Sequence, residues 1–181
     1  MKELSLNILD ITENSTKAGA KNVGISIIET DKTLTMSVSD DGCGMMPDFL
    51  RSVTDPFTTT RTTRKVGLGI PLLKLAAEQT GGNVTIESKH ESLHPDDHGT
   101  TTTALFCKDH LDFTPLGDMI STLTTLIQGH PDVDFLYEHA SPERSVRLDT
   151  KELREVLGDV PLDSFEVICW IKDYLTEQYS E

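Results

Sequence analysis

Three polar stretches in the first seventy residues combine chemistry-bearing side chains with glycines: Asp10-Ile11-Thr12-Glu13-Asn14, Asp40-Asp41-Gly42-Cys43-Gly44 and Gly67-Leu68-Gly69. Asp10, Asn14 and Lys17 stand four and seven residues apart, so on a helix they share one face. An amide oxygen at Asn14 suits a hard cation such as Mg²⁺, which keeps several waters and shares phosphate ligands. The Asp10 carboxylate beside it can take a proton from water or a hydroxyl, and Lys17 can meet a phosphate. The same spacing alone also describes a solvated helix face. Asp40 closes an alternating run. A carboxylate there can accept an exocyclic purine amine, while Gly42 and Gly44 let the backbone approach a flat ring or take a positive φ. A plain Asp-Gly turn carries the same letters. Gly67-Leu68-Gly69 opens an apolar helix whose free N–H groups favour phosphate oxygens. Just before it, Thr58 to Lys65 supplies hydroxyls with Thr60 among them and three cations, Arg61, Arg64 and Lys65. That segment reads as a lid over a triphosphate or as a solvated loop.

These residues need a scaffold. Apolar residues from Leu4 to Ile11 predict a helix over 3–18, with Gly19 as its stop. Runs 23–29 and 33–39 alternate and predict a hairpin. A short helix is expected over 47–53, a loop over 57–66, and a helix over 68–80 halted by Gly81-Gly82. Strands follow at 84–88 and 101–106, joined by the polar loop 90–99. Past Pro115 the pattern predicts a helix at 116–128, strands at 134–139 and 145–149, and helices at 150–157 and 164–179. The order implies a two-layer α/β sandwich, a mixed sheet with helices on one face, with a small α/β C-terminal appendage. We divide the chain into residues 1–113, a nucleotide-binding unit, and 114–181, an acidic appendage suited to docking a partner.

The chain has 181 residues and a net charge of −14. That charge argues against broad contact with nucleic acid and against an anionic membrane surface. Residues 114–181 hold 14 acids and 5 bases, a net −9, so a basic partner or a solubilising face is expected there. Three cysteines without CxxC spacing indicate a reducing, cytoplasmic setting. No leader or membrane-spanning run is visible. Cys43 reads as a packing residue with a redox switch as the alternative. His90, His94 and His98 recur every four residues, but Pro95 argues for a loop rather than a metal-binding helix face. His110, His130 and His139 read as surface or capping residues. Trp170 reads as the packed side of the last helix, with a partner-binding stripe as the alternative.

Taken together, the stretches resemble the ATP-binding domain of the family uniting gyrase, the ninety-kilodalton heat-shock chaperone, histidine kinases and MutL. Asp10–Asn14 matches its N-box, and Asn14-Ser15-Thr16-Lys17-Ala18-Gly19-Ala20 is similar to the MutL wording. Asp40-Asp41-Gly42-Cys43-Gly44 matches the DxGxG box, Gly67-Leu68-Gly69 the second glycine box, and Gly99-Thr100 the Gly-Thr near the last strands. The resemblance covers about residues 1–110. It implies a Bergerat-type fold, ATP and Mg²⁺ as ligands, Asn14 on the metal and Asp40 on the adenine amine. It also implies Gly42, Gly44, Gly67, Leu68, Gly69 and Thr100 around the nucleotide, and Lys17, Thr60, Arg61, Arg64 and Lys65 toward the phosphates. Asp10 stands where gyrase-like members carry a catalytic glutamate. No phosphoacceptor helix pair precedes the N-box in this sequence, so a stand-alone kinase-like protein or slow ATPase is expected. A non-catalytic nucleotide sensor is the alternative, and a scaffold with vestigial boxes a third reading. The wording from Asp55 to Arg61 is similar to that of short proteins of anaerobic bacteria encoded near iron hydrogenase subunits, which implies a redox enzyme complex as partner. A homodimer is left open.

Overall fold

The computed structural model describes residues 3–53 and 69–181. The expected lid at 57–66, with Thr60, Arg61, Arg64 and Lys65, and the Gly67-Leu68 half of the second glycine box lie outside the described residues.

Helix α1 spans Leu4–Lys17, followed by strands β1 (Asn22–Glu29) and β2 (Thr33–Asp40) and the short helix α2 (Pro47–Ser52). Then come α3 (Gly69–Gln79), β3 (Asn83–Lys89) and β4 (Gly99–Cys107). The remainder is α4 (Met119–Gly129), β5 (Asp134–Ala140), β6 (Ser145–Asp149), α5 (Thr150–Leu157) and α6 (Phe165–Ser180). The strands form one six-stranded sheet in the order β3-β4-β2-β1-β5-β6. All neighbours are antiparallel except β1 and β5, which run parallel from Asn22↔Asp134 to Ile28↔Ala140.

Period-two burial shows why the strands form. Val23, Ile25 and Ile27 on β1, Leu34, Met36 and Val38 on β2, and Phe135 and Tyr137 on β5 all face inward. Above them lie α3, α1, α4 and α6, each packed on the next, and α1 also rests on β1 and β2. Ile8, Leu73, Leu123 and Ile171 from these four helices join the strand residues in one continuous core. Residues 114–181 thus add β5 and β6 to the sheet, and α4 and α6 to the helical layer. Truncating a fully buried position such as Leu123 to Ala would cost about 2–5 kcal/mol. Among the described residues no helix is long and apolar enough to cross a membrane.

Three local differences from the sequence-based expectations have plain causes. The helix expected from 116 starts at Met119, because Asp118 caps it by accepting the Ser121 N–H at 2.9 Å. The preceding residues have another task. The carbonyls of Pro115 and Leu116 accept the N–H groups of Leu4 and Ser5 at 2.9 and 2.8 Å, satisfying the open first turn of α1. The second difference is His139, expected at the surface but only 6% exposed. It lies on the inward phase of β5, where Phe135 and Tyr137 precede it at two-residue steps. Its Nε2 pairs with Glu29 Oε1 at 2.8 Å and its Nδ1 with the Tyr179 hydroxyl at 2.9 Å. These partners lie on β1 and α6 and make burial of a polar ring tolerable. His110 and His130 stay at least partly exposed, the latter paired with Glu13 at 2.9 Å. The third difference is Trp170, expected on the packed side of α6 but 48% exposed, because it falls outside the arc of the buried Val167, Ile168, Ile171 and Leu175.

Candidate functional site

The site gathers where the C-terminal ends of α1 and β2 meet the start of α3. Asp40 is the last residue of β2, opposite Val23 of β1 on one side and Thr100 of β4 on the other. Its Oδ2 accepts the Ser15 hydroxyl at 2.6 Å, and its Oδ1 accepts the Gly42 N–H at 2.9 Å. One donor per oxygen fixes the carboxylate, and each oxygen retains a second lone-pair direction. The group is partly exposed. Asp40 is therefore oriented by the protein and still able to accept from a ligand.

The glycine turn behind it is clamped on three sides. The Cys43 N–H donates to the Ala18 carbonyl at 2.9 Å, at the end of α1. The Glu91 N–H donates to the Cys43 carbonyl at 2.8 Å, and His98 Nδ1 lies 2.5 Å from the Gly42 carbonyl. The Met45 N–H donates to Ser88 Oγ at 2.8 Å, which also meets Thr100 Oγ1 at 2.7 Å. Gly44 has a φ of +72°, and a Cβ there would stand 1.9 Å from the Lys89 carbonyl oxygen. Only glycine fits that backbone and that gap. At Gly99, with φ +139°, a Cβ would come within 2.0 Å of the Asp40 carbonyl oxygen, so this glycine lets β4 close on the Asp40 turn. The requirement for glycine at both positions comes from the protein's own backbone.

Asp41 has a different role. Burial alone would raise its carboxyl. The Asn22 side chain and the backbone N–H groups of Asn22 and Lys21 donate to it at 2.7–2.9 Å and hold it below the usual carboxylate range. It ties the turn to the start of β1. A cavity of about 350 Å³ backs onto Asp40 and Asp41 from the strand side, lined by Gly24, Ser39, Leu136 and neighbours, and reaches neither Asp10, Asn14 nor Gly69.

On α1, Asp10 is exposed and Asn14 partly exposed, while Ile11, Thr12 and Ser15 turn inward. Asp10 meets the second glycine box: a Cβ on Gly69 would lie 3.4 Å from Asp10 Cβ and 3.9 Å from its Oδ2. Gly69 begins α3, so the carboxylate stands beside that helix's N-terminus, where the dipole favours negative charge. Among the described residues no side chain donates to Asp10 or Asn14. One carboxylate and one amide oxygen on the same helix face suit a small hard cation completed by water and phosphate. Lys17 is exposed one turn beyond Asn14.

The structure thus brings Asp10, Asn14, Lys17, Asp40, Gly42, Gly44, Gly69 and Thr100 to one end of the sheet. Thr100 supports the Asp40 turn through Ser88. Three contributors escaped sequence reasoning. Ser15 sits three to four residues past Ile11 and Thr12, a polar residue on the apolar stripe of α1, and that misfit was its one signal. Ser88 and His98 act through contacts more than forty residues away in sequence, which spacing does not encode. The loop holding His90, His94 and His98 is not helical, and among the described residues no three His, Cys, Asp or Glu side chains gather as metal ligands.

Comparison with known proteins bears on the family and the fold. The model of the family described as histidine kinase-, DNA gyrase B-, and HSP90-like ATPase matches residues 1–110. A putative sensor protein of Shewanella frigidimarina is 29% identical over 91 residues, which are 48% of this chain and 14% of that protein. Sensor protein SrrB of Staphylococcus aureus is 28% identical over 94 residues, 49% of this chain and 16% of that one. The aligned stretch thus spans about a seventh of the length of these relatives. In three dimensions the chain is similar to the Aquifex aeolicus MutL ATPase domain complexed with ADP, with a TM-score of 0.54 at 14% identity, covering 87% of this chain and 69% of that one. The N-terminal domain of a DNA repair protein gives the same TM-score at 17% identity, covering 88% and 58%. At such identities these structures bear on the fold alone. With the family model covering well over half of the sequence, the chain belongs to the histidine kinase-, DNA gyrase B- and HSP90-like ATPases.

Proposed function

We propose that this chain binds Mg–ATP at the Asp40 end of its sheet and uses it as a cytoplasmic regulatory protein, phosphorylating a partner or hydrolysing ATP slowly. The observation that carries this reading is the Asp40 carboxylate, held by Ser15 and Gly42 yet with lone pairs left for an adenine amine. A carboxylate already oriented loses little freedom on binding, which favours affinity. Asn14 would hold Mg²⁺, whose chemistry there is to neutralise charge on the phosphate oxygens. Lys17, with Thr60, Arg61, Arg64 and Lys65 of the expected lid, would approach the same phosphates. The start of α3 at Gly69 lies beside Asp10, so a phosphate at that helix terminus would sit near the candidate base. Asp10 would take the proton from the attacking hydroxyl or water. Residues 114–181 would serve a protein partner, for which a redox enzyme complex is one candidate.

A second reading has an observation of its own. A general base is commonly oriented by a third group, and among the described residues nothing donates to Asp10. A nucleotide sensor that changes partner affinity without turnover needs no such base. Phosphate release and transfer, measured with Asp10→Asn as the control, separates the two. Catalysis predicts turnover in the wild type, a loss of about 100-fold or more in the variant, and equal ATP affinity in both. ATP binding with neither release nor transfer, partner present, would leave the sensor.

A further inference from the structure

Helix α6 buries Val167, Ile168, Ile171 and Leu175 and turns a second stripe outward. At about 100° per residue, Glu166, Trp170, Asp173, Tyr174 and Glu177 fall within an arc of about 100°. All five are exposed, Trp170 by 48% and Tyr174 by 36%. The two rings are stacked, with centroids 4.9 Å apart and planes 11° from parallel. An exposed aromatic residue alone decides nothing. Here two of them form an exposed aromatic stack among three carboxylates. Lys172, the helix's one base, lies about 160° around the axis from Trp170. The stripe therefore joins an aromatic platform to unbalanced negative charge, within a segment of net −9.

We propose that this face of α6 docks a basic, arginine-bearing segment of a partner protein. A guanidinium would lie over the Trp170–Tyr174 stack while Glu166, Asp173 and Glu177 pair with neighbouring cations. Phosphate-rich partners are repelled by the same carboxylates, which excludes nucleic acid and anionic lipid from this surface. The site lies on the last helix and is independent of the nucleotide reading.

Trp170 is the only tryptophan in the chain, so its emission reports on this stripe alone. The full chain is titrated at low salt with an alternating Arg-Ala decapeptide and, in parallel, its Glu-Ala counterpart. The Arg peptide is expected to change the emission saturably, and the Glu peptide to leave it unchanged. The triple variant E166Q/D173N/E177Q should weaken binding at least tenfold, and Tyr174→Ala several-fold. The equally exposed control E155Q/D159N/D163N should stay within twofold. Unchanged thermal melts of both triple variants distinguish lost docking from lost folding. No emission change with the Arg peptide, or equal weakening by the two triple variants, would overturn the proposal.

Discussion

The two ends of the sheet treat their polar groups in opposite ways. At one end, Asp40 keeps acceptor capacity while its hydrogen bonds fix the turn without filling it, and among the described residues no side chain donates to Asp10 or Asn14. At the other end, Glu29, His139, Tyr137, Tyr179 and Lys108 are bonded to one another. Glu29 holds His139 and Lys108, each at 2.8 Å, His139 holds Tyr179, and Tyr179 holds Tyr137 at 2.6 Å. Burial would raise the Glu29 carboxyl, yet its Lys108 and His139 partners bring it below the usual range. Burial pushes the Tyr137 phenol far up, so it stays a neutral hydrogen-bonding group. This second cluster fastens the end of α6 and β5 to β1 and β4. Buried polar groups that satisfy each other hold a fold together, whereas an oriented group with a free lone pair can still accept from a ligand.

Several substitutions would break or sharpen that contrast. The largest effect is expected from Gly44→Ala, whose Cβ would meet the Lys89 carbonyl oxygen. It should cost about 3 kcal/mol or more and displace the Asp40 turn, abolishing nucleotide binding in a calorimetric titration. Gly129→Ala, with nothing within 4 Å of the added methyl, should leave both stability and binding nearly unchanged. At the opposite end, Glu29→Gln should lower stability by about 1–2 kcal/mol, discounted for solvent screening of a partly exposed group, with ATP affinity within twofold.

The pH response follows from the depressed carboxyls of Glu29 and Asp41. Their folded-state pKa values lie below their unfolded ones. The stabilisation is complete above the ordinary carboxylate range, about pH 4–5, and is lost as pH falls through and below it. Denaturant melts should show this acid loss in the wild type and a shallower one in Glu29→Gln. Ser15→Ala should have a milder effect on binding than Gly44→Ala. Removing one hydrogen bond to Asp40 should weaken nucleotide binding about two- to tenfold, read by the same titration, with the fold retained.

The same contrast explains what the sequence disclosed. Local patterns were legible: the alternation in β1 and β2, the apolar stripe of α1, and the Asp-Gly turn all depend on neighbours in sequence. The open end of the sheet was legible too, because its residues sit in short ordered stretches from Asp10 to Gly69. The closed end was not. Glu29 meets His139 across 110 residues, through a parallel pairing of β1 with β5 that no local period announces. His98 reaches Gly42 across 56 residues, and Ser15 reaches Asp40 across 25. Such contacts arise only when the strands take their order in the sheet. His139 was misplaced at the surface because a polar letter outweighed its inward phase on the strand.

The central claim is that Asp40 receives the adenine amine, and titration of ATP into the wild type and Asp40→Asn tests it most directly. An asparagine keeps the size but loses the charge and one acceptor. Binding in the wild type, weakened about 10- to 100-fold in the variant with the thermal melt preserved, is the predicted result. Equal affinities, or no binding in either protein, would contradict it.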